Sequence, residues 1–238
     1  MSYTSMAKDV VQFLDQQGLD QVVLVGHSMG GKVAQTIALL YPNRVQGLCV
    51  LDMAPVAYQA TEPHWKAVSD IITTLQSILS SEMEKYTKQQ VDKLLQSSIP
   101  DPALRGFCLT NYDNRQQEWA IPVHYIADNL NTLAGFDIIT HTTTTDHHDN
   151  TNHPADSTIV NGDAPSSTVA SSAVALQYQG DVFFILGGQS KFVRHAHIDT
   201  IATYFPNHML TTIRGSGHWV HAEAPDDTIA LLKRYLDR

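Results

Sequence analysis

The 238-residue chain is long enough for one medium-sized domain with an appendage, and such a domain buries an adequate core without disulfides. Its formal net charge of −9, with no cluster of Lys and Arg, argues against nucleic-acid binding, because proteins that bind phosphate backbones gather basic residues on one face. No apolar run approaches the ~20 residues that cross a bilayer, and the N-terminus lacks the basic start and apolar centre of a signal peptide.

Residues 1–55 predict the order helix, strand, helix, strand. In the first helix the apolar residues share one face and Gly18 suits its end; that face comprises Met6, Val10, Phe13 and Leu14. The apolar runs "QVVLVG" and "VQGLCVLDMAP" predict strands covered on both faces of a parallel sheet. Between them a helix follows Ser28, which makes a right-handed crossover.

Residues 56–137 have helical periodicity and predict a lid of three to five helices. The start and stop signals are Ser81 with Glu84, Asp101-Pro102, Pro122 and finally Gly135. Residues 138–179 contain the polar tract "THTTTTDHHDNTNHPADSTIVNGDAPSSTVASS", which has few large apolar side chains. Such a tract cannot offset the entropy of ordering itself, so a disordered low-complexity insertion is predicted.

Residues 180–238 return to alternating elements. Strands are predicted at "DVFFILGG" and "HMLTTIRG", and helices at 195–204 and at "DDTIALLKRYLDR". Strand and helix alternate on both sides of the lid, so the predicted class is α/β with a parallel sheet, formed by residues 1–55 and 180–238. Cys49 and Cys108 lie in apolar stretches and predict buried free thiols in a reducing compartment. We expect a cytoplasmic protein, or a mitochondrial one if a targeting segment precedes residue 1.

The stretch "GHSMG" fits the GxSxG pattern around Ser28, between a predicted strand and a predicted helix. In that context the pattern is typical of a sharp turn that exposes a nucleophilic serine. Gly26 and Gly30 are expected to prevent a collision of strand and helix, and the Met29 N–H to stabilise an oxyanion. The alternative is a tight glycine turn with an idle serine.

A serine nucleophile needs a base, and "IRGSGHWVHAEAP" offers His218 in a loop after a late strand. His221 is the nearest rival, and a loop histidine bonded only to backbone is the other alternative. For the acid that orients the base, Asp52 ends the strand "GLCVLD" at the carboxyl edge of the sheet, where sites in α/β proteins gather. Asp181 begins a strand and faces the other edge. The alternative for Asp52 is a cap of the following turn.

The tract "HTTTTDHHDNTNH" packs histidines and aspartates closely, which raises the possibility of a metal site. A specific site needs a fixed ligand geometry that a disordered segment lacks, so no metal is expected.

Four stretches resemble the α/β-hydrolase superfamily, and within it the small bacterial acyl esterases and the α/β-hydrolase domain-containing protein eleven group. They are "VVLVGHSMGGKVA", "RVQGLCVLDMAPV", "FFILGGQSKFV" and "GSGHWVHAEAP". The resemblance covers residues 5–52 and 181–238 well, and the lid loosely. It implies the α/β-hydrolase fold and a Ser-Asp-His esterase or thioesterase for short to medium acyl groups, with no cofactor. Ser28 and His218 fall on the family's nucleophile and base.

Relatives of this kind have the acid either at the "LDMAP" position or in the lid. The lid stretch "WAIPVHYI" carries His124 at the position of that lid acid, which favours Asp52. Complete members of the family also carry several strands before the serine turn and a loop that supplies a second oxyanion N–H. Those first strands are expected to be missing here. The loss would cost about 10²–10³ in turnover and expose an apolar strand edge that favours self-association.

The leading hypothesis is a serine hydrolase of ester or thioester substrates that binds a small acyl compound. A second is a catalytically impaired or non-catalytic protein that binds a ligand or partner, and a third is lyase or haloperoxidase-like chemistry on the same triad. The substrate pocket is expected to contain His27, Trp65, Phe107 and Trp119. The last three would equally suit the core of the lid.

Overall fold

The computed structural model describes residues 1–79, 85–136, 138 and 176–238. Within them, a parallel four-stranded sheet carries helices on both faces, and a group of further helices is inserted between its second and third strands. The predicted α/β class with a parallel sheet and a helical lid is confirmed.

The first part of the core follows the predicted order of elements. They are α1 (Tyr3–Gln16), β1 (Val22–His27), α2 (Met29–Leu40) and β2 (Val45–Leu51). The predicted buried face of α1 is wrong at Phe13, which is 55% exposed. Leu14 is buried as predicted, and Met6 and Val10 pack against the core. Tyr3 and Ala7 are buried in addition, so the face that contacts the core is centred on these residues and leaves Phe13 outside.

In its described part, residues 56–79 and 85–136, the lid contains five helices and a short hairpin. They are α3 (Pro63–Leu79), α4 (Lys88–Leu95), α5 (Pro102–Leu109), β3 (Tyr112–Asp113), β4 (Glu118–Trp119), α6 (Val123–Asp128) and α7 (Leu130–Ala134). Helix α4 begins after Thr87, which forms a capping box with Gln90, whereas the predicted start at Ser81 lies outside the described residues. The other predicted boundaries are confirmed: Asp101, Pro122 and Gly135. The hairpin was not predicted, because strands of two residues leave no periodicity to detect.

The second part of the core again alternates strand and helix. Its elements are β5 (Val182–Gly187), α8 (Ile198–Tyr204), β6 (His208–Ile213), α9 (Val220–Glu223) and α10 (Pro225–Leu236). Most of the predicted insertion at 138–179 lies outside the described residues. Its last residues, 176–179, are described, and Tyr178 among them is buried with its hydroxyl donating to the Val45 carbonyl at 3.0 Å. This end of the segment therefore belongs to the packed core.

The strand order is β1-β2-β5-β6, with every neighbouring pair parallel. Side chains of β2 alternate between the two faces: Leu48 and Val50 belong to the cluster with α1, α2 and α8, whereas Cys49 and Leu51 belong to the cluster with α9 and α10. Both faces of the central strands are thus covered, which is why their sequences are continuous apolar runs. Cys49 and Cys108 are buried free thiols, as predicted.

Strand β1 is an edge strand, since within the described residues it pairs with β2 alone. Val25 on this strand is 48% exposed. An open groove of about 470 Å³ runs beside it, with apolar side chains from β1, α1 and α2 in its walls. The expected exposure of this edge is therefore confirmed. Among the described helices, none combines the length and apolarity needed to span a bilayer.

Candidate active site

Ser28 occupies a strained turn between β1 and α2. Its φ of 52° and ψ of −121° lie in a region that residues with a Cβ rarely adopt, at a cost of order 1–3 kcal/mol. The turn lets the chain leave the sheet and start a helix within one residue, so the hydroxyl projects from the carboxyl end of β1. Backbone strain of this kind persists only where the surrounding structure maintains it, and here the Ser28 N–H is held by the Leu51 carbonyl at 3.3 Å.

The two glycines that flank Ser28 differ in their surroundings. A Cβ at Gly26 would lie 2.3 Å from the Gly30 carbonyl oxygen, so strand and helix can meet only without a side chain there. A Cβ at Gly30 would meet nothing within 4 Å, so the expectation that Gly30 also prevents a collision is wrong. Gly31 takes that role, because its Cβ would lie 3.1 Å from the Gly26 carbonyl oxygen.

The structure brings the three predicted catalytic residues into one chain of hydrogen bonds. Ser28 Oγ lies 2.9 Å from His218 Nε2, and His218 Nδ1 lies 2.7 Å from Asp52 Oδ2. The ionised carboxylate only accepts, so Nδ1 carries the proton and Nε2 accepts from the serine hydroxyl. Ser28 follows β1, Asp52 follows β2 and His218 lies in the loop after β6, so all three come from the same edge of the sheet.

Asp52 is fully buried, and each of its oxygens is hydrogen-bonded. Oδ1 accepts the Gly187 N–H at 3.0 Å, and Oδ2 accepts the Ser190 hydroxyl in addition to His218. The φ of Asp52 is 49°, a second strained residue at this edge. A buried carboxyl group without hydrogen-bond donors would be costly, and the donors from Gly187, Ser190 and His218 offset that cost.

Ser190 and Phe192 are site residues that the sequence did not identify. Ser190 stands after β5, and its hydroxyl, which donates to Asp52, also accepts the Phe192 N–H at 3.2 Å. The ring of Phe192 stacks on His218, with centroids 3.9 Å apart and planes 25° from parallel. Their position after a central strand was the one available signal, because serine and phenylalanine are not distinctive residue types.

The predicted pocket residue His27 lies behind His218 and is not part of the cavity wall. Its Nε2 donates to the His218 carbonyl oxygen at 2.8 Å, and its ring packs between His218 and His221. Burial lowers the pKa of His27 to about 4, so the ring is neutral at neutral pH. The single ring proton is then the one on Nε2 that faces the carbonyl.

A cavity of about 220 Å³ opens next to Ser28, between the lid and the core. Its walls are mostly apolar: Tyr3, Ser28, Met29, Lys32, Met53, Tyr58, Trp65, Val68, Ile72, Ile126, Leu130, Leu133 and Phe192. Trp65 therefore lies in the wall of this cavity, next to Ser28. Phe107 is half-exposed and packs on Trp219, while Trp119 is buried inside the lid against Tyr112, so neither lines this cavity.

Lys32 joins the serine-bearing helix to the end of the lid. Its side chain is 1% exposed, and Nζ donates to the carbonyls of Ala134 and Gly135 at 2.8 and 2.7 Å. These carbonyls close α7, where a cation is favoured by the helix dipole. Nζ also lies 4.5 Å from the centre of the Tyr58 ring.

Metal chemistry finds no support in the described residues, which contain no cluster of three metal-ligating side chains. The histidine-rich tract considered from the sequence lies outside the described residues.

The chain combines a four-stranded parallel sheet, a helical insertion, a serine at a strained strand-to-helix turn and a histidine after the last strand. These are features of the α/β-hydrolase fold. The family model of the alpha/beta hydrolase fold matches residues 1–72. The chain therefore has the α/β-hydrolase fold.

Several relatives are similar over nearly the whole of this chain. Esterase YbfF of Escherichia coli K12 is 28% identical over 237 residues, which cover all of this chain and 76% of that protein. The sn-1-specific diacylglycerol lipase ABHD11 of Mus musculus is 28% identical over 239 residues, covering 99% of this chain and 65% of that protein. A solved structure described as a marine microorganism esterase superposes with a TM-score of 0.78 at 29% identity, covering 98% of this chain and 77% of that one.

The different surroundings of Gly26 and Gly30 predict that alanine substitutions at the two positions affect stability differently. Gly26→Ala is expected to destabilise the protein by about 1–3 kcal/mol, because the new Cβ has to displace the backbone of α2. Gly30→Ala is expected to be neutral or to stabilise by up to about 1 kcal/mol, because the site is open and alanine favours the helix. Urea unfolding of both variants measures the difference, and equal stabilities would contradict the close approach at Gly26.

The lowered pKa of His27 predicts how the stability of the folded protein depends on pH. Its pKa in the folded protein, about 4, is below the ~6.5 of an unfolded chain, so the unfolded state binds more protons between these values. The folded state therefore loses stability as pH falls from about 6.5 to 4, and is unaffected by this group above that range. In His27→Gln, the free energy of unfolding should fall less between pH 7.5 and 4.5 than in the wild type. His221→Gln, which removes an exposed imidazole nearby, is the control, and parallel curves for His27→Gln and wild type would contradict the prediction.

Proposed function

We propose that this chain is a serine hydrolase that cleaves carboxylic ester or thioester bonds of short to medium acyl substrates. The observation that carries the proposal is the chain of hydrogen bonds from Ser28 through His218 to Asp52. The proteins that it resembles include an esterase, a diacylglycerol lipase and a second esterase of known structure, which supports an ester as the substrate bond.

In the proposed reaction, Ser28 Oγ attacks the acyl carbon while His218 Nε2 takes its proton. The resulting oxyanion accepts the Met29 N–H, which heads α2 and so has no acceptor within its own helix. The imidazolium of His218 then protonates the leaving alcohol or thiol as its bond to the acyl carbon breaks. In the second half, His218 takes a proton from water as the water oxygen attacks the acyl carbon. The bond to Ser28 Oγ then breaks, the imidazolium returns the proton to Oγ, and the carboxylic acid is released.

Asp52 acts through His218 in this scheme. Its carboxylate orients the ring by accepting from Nδ1 and stabilises the imidazolium that forms in each half-reaction. The N–H of Gly187 and the hydroxyl of Ser190 hold that carboxylate in place. The acid is thus fixed by donors from the strand next to its own.

The apolar cavity beside Ser28 supports an acyl group as the bound part of the substrate. Its volume of about 220 Å³ is below the 300–1,000 Å³ that is usual for pockets holding drug-sized ligands. A short to medium acyl chain suits a space of this size. Each methylene that moves from water into contact with the apolar walls favours binding by about 0.8 kcal/mol.

A fluorophosphonate probe tests the nucleophile. Wild-type protein is expected to be labelled once, whereas Ser28→Ala is expected not to be labelled, because the probe reacts with an activated serine. Ester hydrolysis should fall by a factor on the order of 10⁴ in Asp52→Asn, since the amide disfavours the required tautomer of His218. Ser69→Ala, a serine in α3, serves as the matched control. Labelling of wild type no stronger than that of Ser28→Ala would favour the ligand-binding hypothesis over the enzyme.

A panel of p-nitrophenyl esters from acetyl to decanoyl tests the cavity. Val68→Trp, which places a larger side chain in the cavity wall, should lower kcat/KM for hexanoyl and longer esters by about tenfold while leaving acetyl ester hydrolysis within about threefold. Ala67→Trp introduces the same ring on the exposed side of α3 and should leave the profile unchanged. Equal losses for all chain lengths would argue that the acyl chain binds elsewhere.

A further inference from the structure

The backbone of the proposed base is held on both sides of His218 by one carboxylate. Glu223, at the end of α9, accepts the Gly217 N–H at 2.6 Å through Oε2 and the Trp219 N–H at 3.1 Å through Oε1. Both oxygens are used, and the two donors flank His218 along the chain. Hydrogen bonds of N–H groups to a charged acceptor are about twice as strong as those between neutral groups.

A third backbone group of this short segment, the His218 carbonyl, is held by His27. The distance from His27 Nε2 to that oxygen is 2.8 Å, and the bond lies partly buried. His27 is the last residue of β1 and is covalently joined to Ser28. The residue that precedes the proposed nucleophile therefore holds the backbone of the proposed base.

We propose that His27 and Glu223 are positioning residues that together fix the backbone of His218 and so aim its Nε2 at Ser28. The inference rests on the proposed function. Neither residue needs to contact the substrate, since each acts through the peptide groups of residues 217–219. His27 supplies the donor to the carbonyl, and Glu223 supplies the acceptors for the flanking N–H groups.

The loop needs such support because its own sequence is permissive. Gly215 has a φ of +82° and Gly217 carries no side chain, so the segment before His218 has little intrinsic rigidity. The loop also packs directly on the sheet: a Cβ at Gly187 would lie within 1.8 Å of the Gly217 carbonyl oxygen. A misplacement of about 1 Å between catalytic groups can cost about 10²-fold in rate.

The protonation of His27 agrees with this role. Because burial keeps the ring neutral at neutral pH, it donates through Nε2 without placing a second positive charge beside His218 when that ring becomes an imidazolium. The two ring centroids are 4.7 Å apart, where like charges would repel.

The experiment compares two substitutions at His27 in the full chain. Glutamine carries an amide nitrogen at about the reach of Nε2, whereas leucine has a similar size and no donor. His27→Leu should lower kcat by about 10- to 100-fold with KM within about twofold, and His27→Gln should retain kcat within about threefold. His221→Gln, on the other side of the His27 ring, is the matched control and should retain wild-type kcat.

Glu223 is tested by its isostere. Glu223→Gln keeps the shape but turns one acceptor into a donor that faces an N–H, so it should lower kcat about as much as Glu223→Ala, again about 10- to 100-fold. Asp226→Asn removes a carboxylate near the start of α10 and should leave kcat unchanged. Wild-type kcat in both His27→Leu and Glu223→Gln would overturn the proposal, as would equal losses in His27→Gln and His27→Leu.

A spectroscopic signal separates failure of this inference from failure of the proposed function. The His218 Nδ1–H that bonds to Asp52 at 2.7 Å should give a downfield proton resonance, which His218→Gln removes and which thereby identifies it. That resonance should broaden or disappear in His27→Leu and Glu223→Gln and persist in His27→Gln. If wild type shows no Ser28-dependent hydrolysis, the proposed function fails, and this resonance still decides the positioning roles: its unchanged presence in all three variants would refute them.

Discussion

The parallel pairing of β1 with β2 is the constraint on which the site depends. Its register sets His27 opposite Leu51, so the two strands end together and the next residue of each, Ser28 and Asp52, leaves the sheet at the same edge. The hydrogen-bond ladder continues past the strands, because the Ser28 N–H bonds to the Leu51 carbonyl and the Asp52 N–H to the Ile185 carbonyl. A shift of one residue in this register would separate the proposed nucleophile from the acid.

The same ladder explains how the chain tolerates strain at this edge. Ser28 and Asp52 both have positive φ, an arrangement that costs free energy for residues other than glycine. Each is held by a backbone hydrogen bond to the neighbouring strand, and Asp52 by its buried side chain as well. The hydrogen bonds of the sheet offset the strain of these two residues, whose conformations expose the Ser28 hydroxyl and orient the Asp52 carboxylate.

The lid and the catalytic loop are linked through a few buried side chains. The Tyr58 hydroxyl donates to the Phe192 carbonyl at 2.9 Å, and the Phe192 ring stacks on His218. On the other side of the cavity, Lys32 of α2 holds the carbonyls that end α7. Phe192 therefore borders both the cavity beside Ser28 and the ring of His218.

The amino-acid sequence by itself determined the strands, the helices that alternate with them and the serine turn, because these follow from local apolar runs, helical spacing and glycine positions. It also singled out Ser28, His218 and Asp52, since each follows a recognisable strand. Only the tertiary structure decided which residues contact them: Ser190, Phe192 and His27 reach Asp52 or His218 from distant segments. Glu223 is close to His218 in sequence, but its hydrogen bonds to Gly217 and Trp219 depend on the fold of the loop, and glutamate is a common residue type. Size alone wrongly assigned Phe107 and Trp119 to the cavity wall, because their positions depend on how the helices of the lid pack against one another. Size and spacing also could not show that the close approach of strand and helix requires glycine at position 31 and not at position 30.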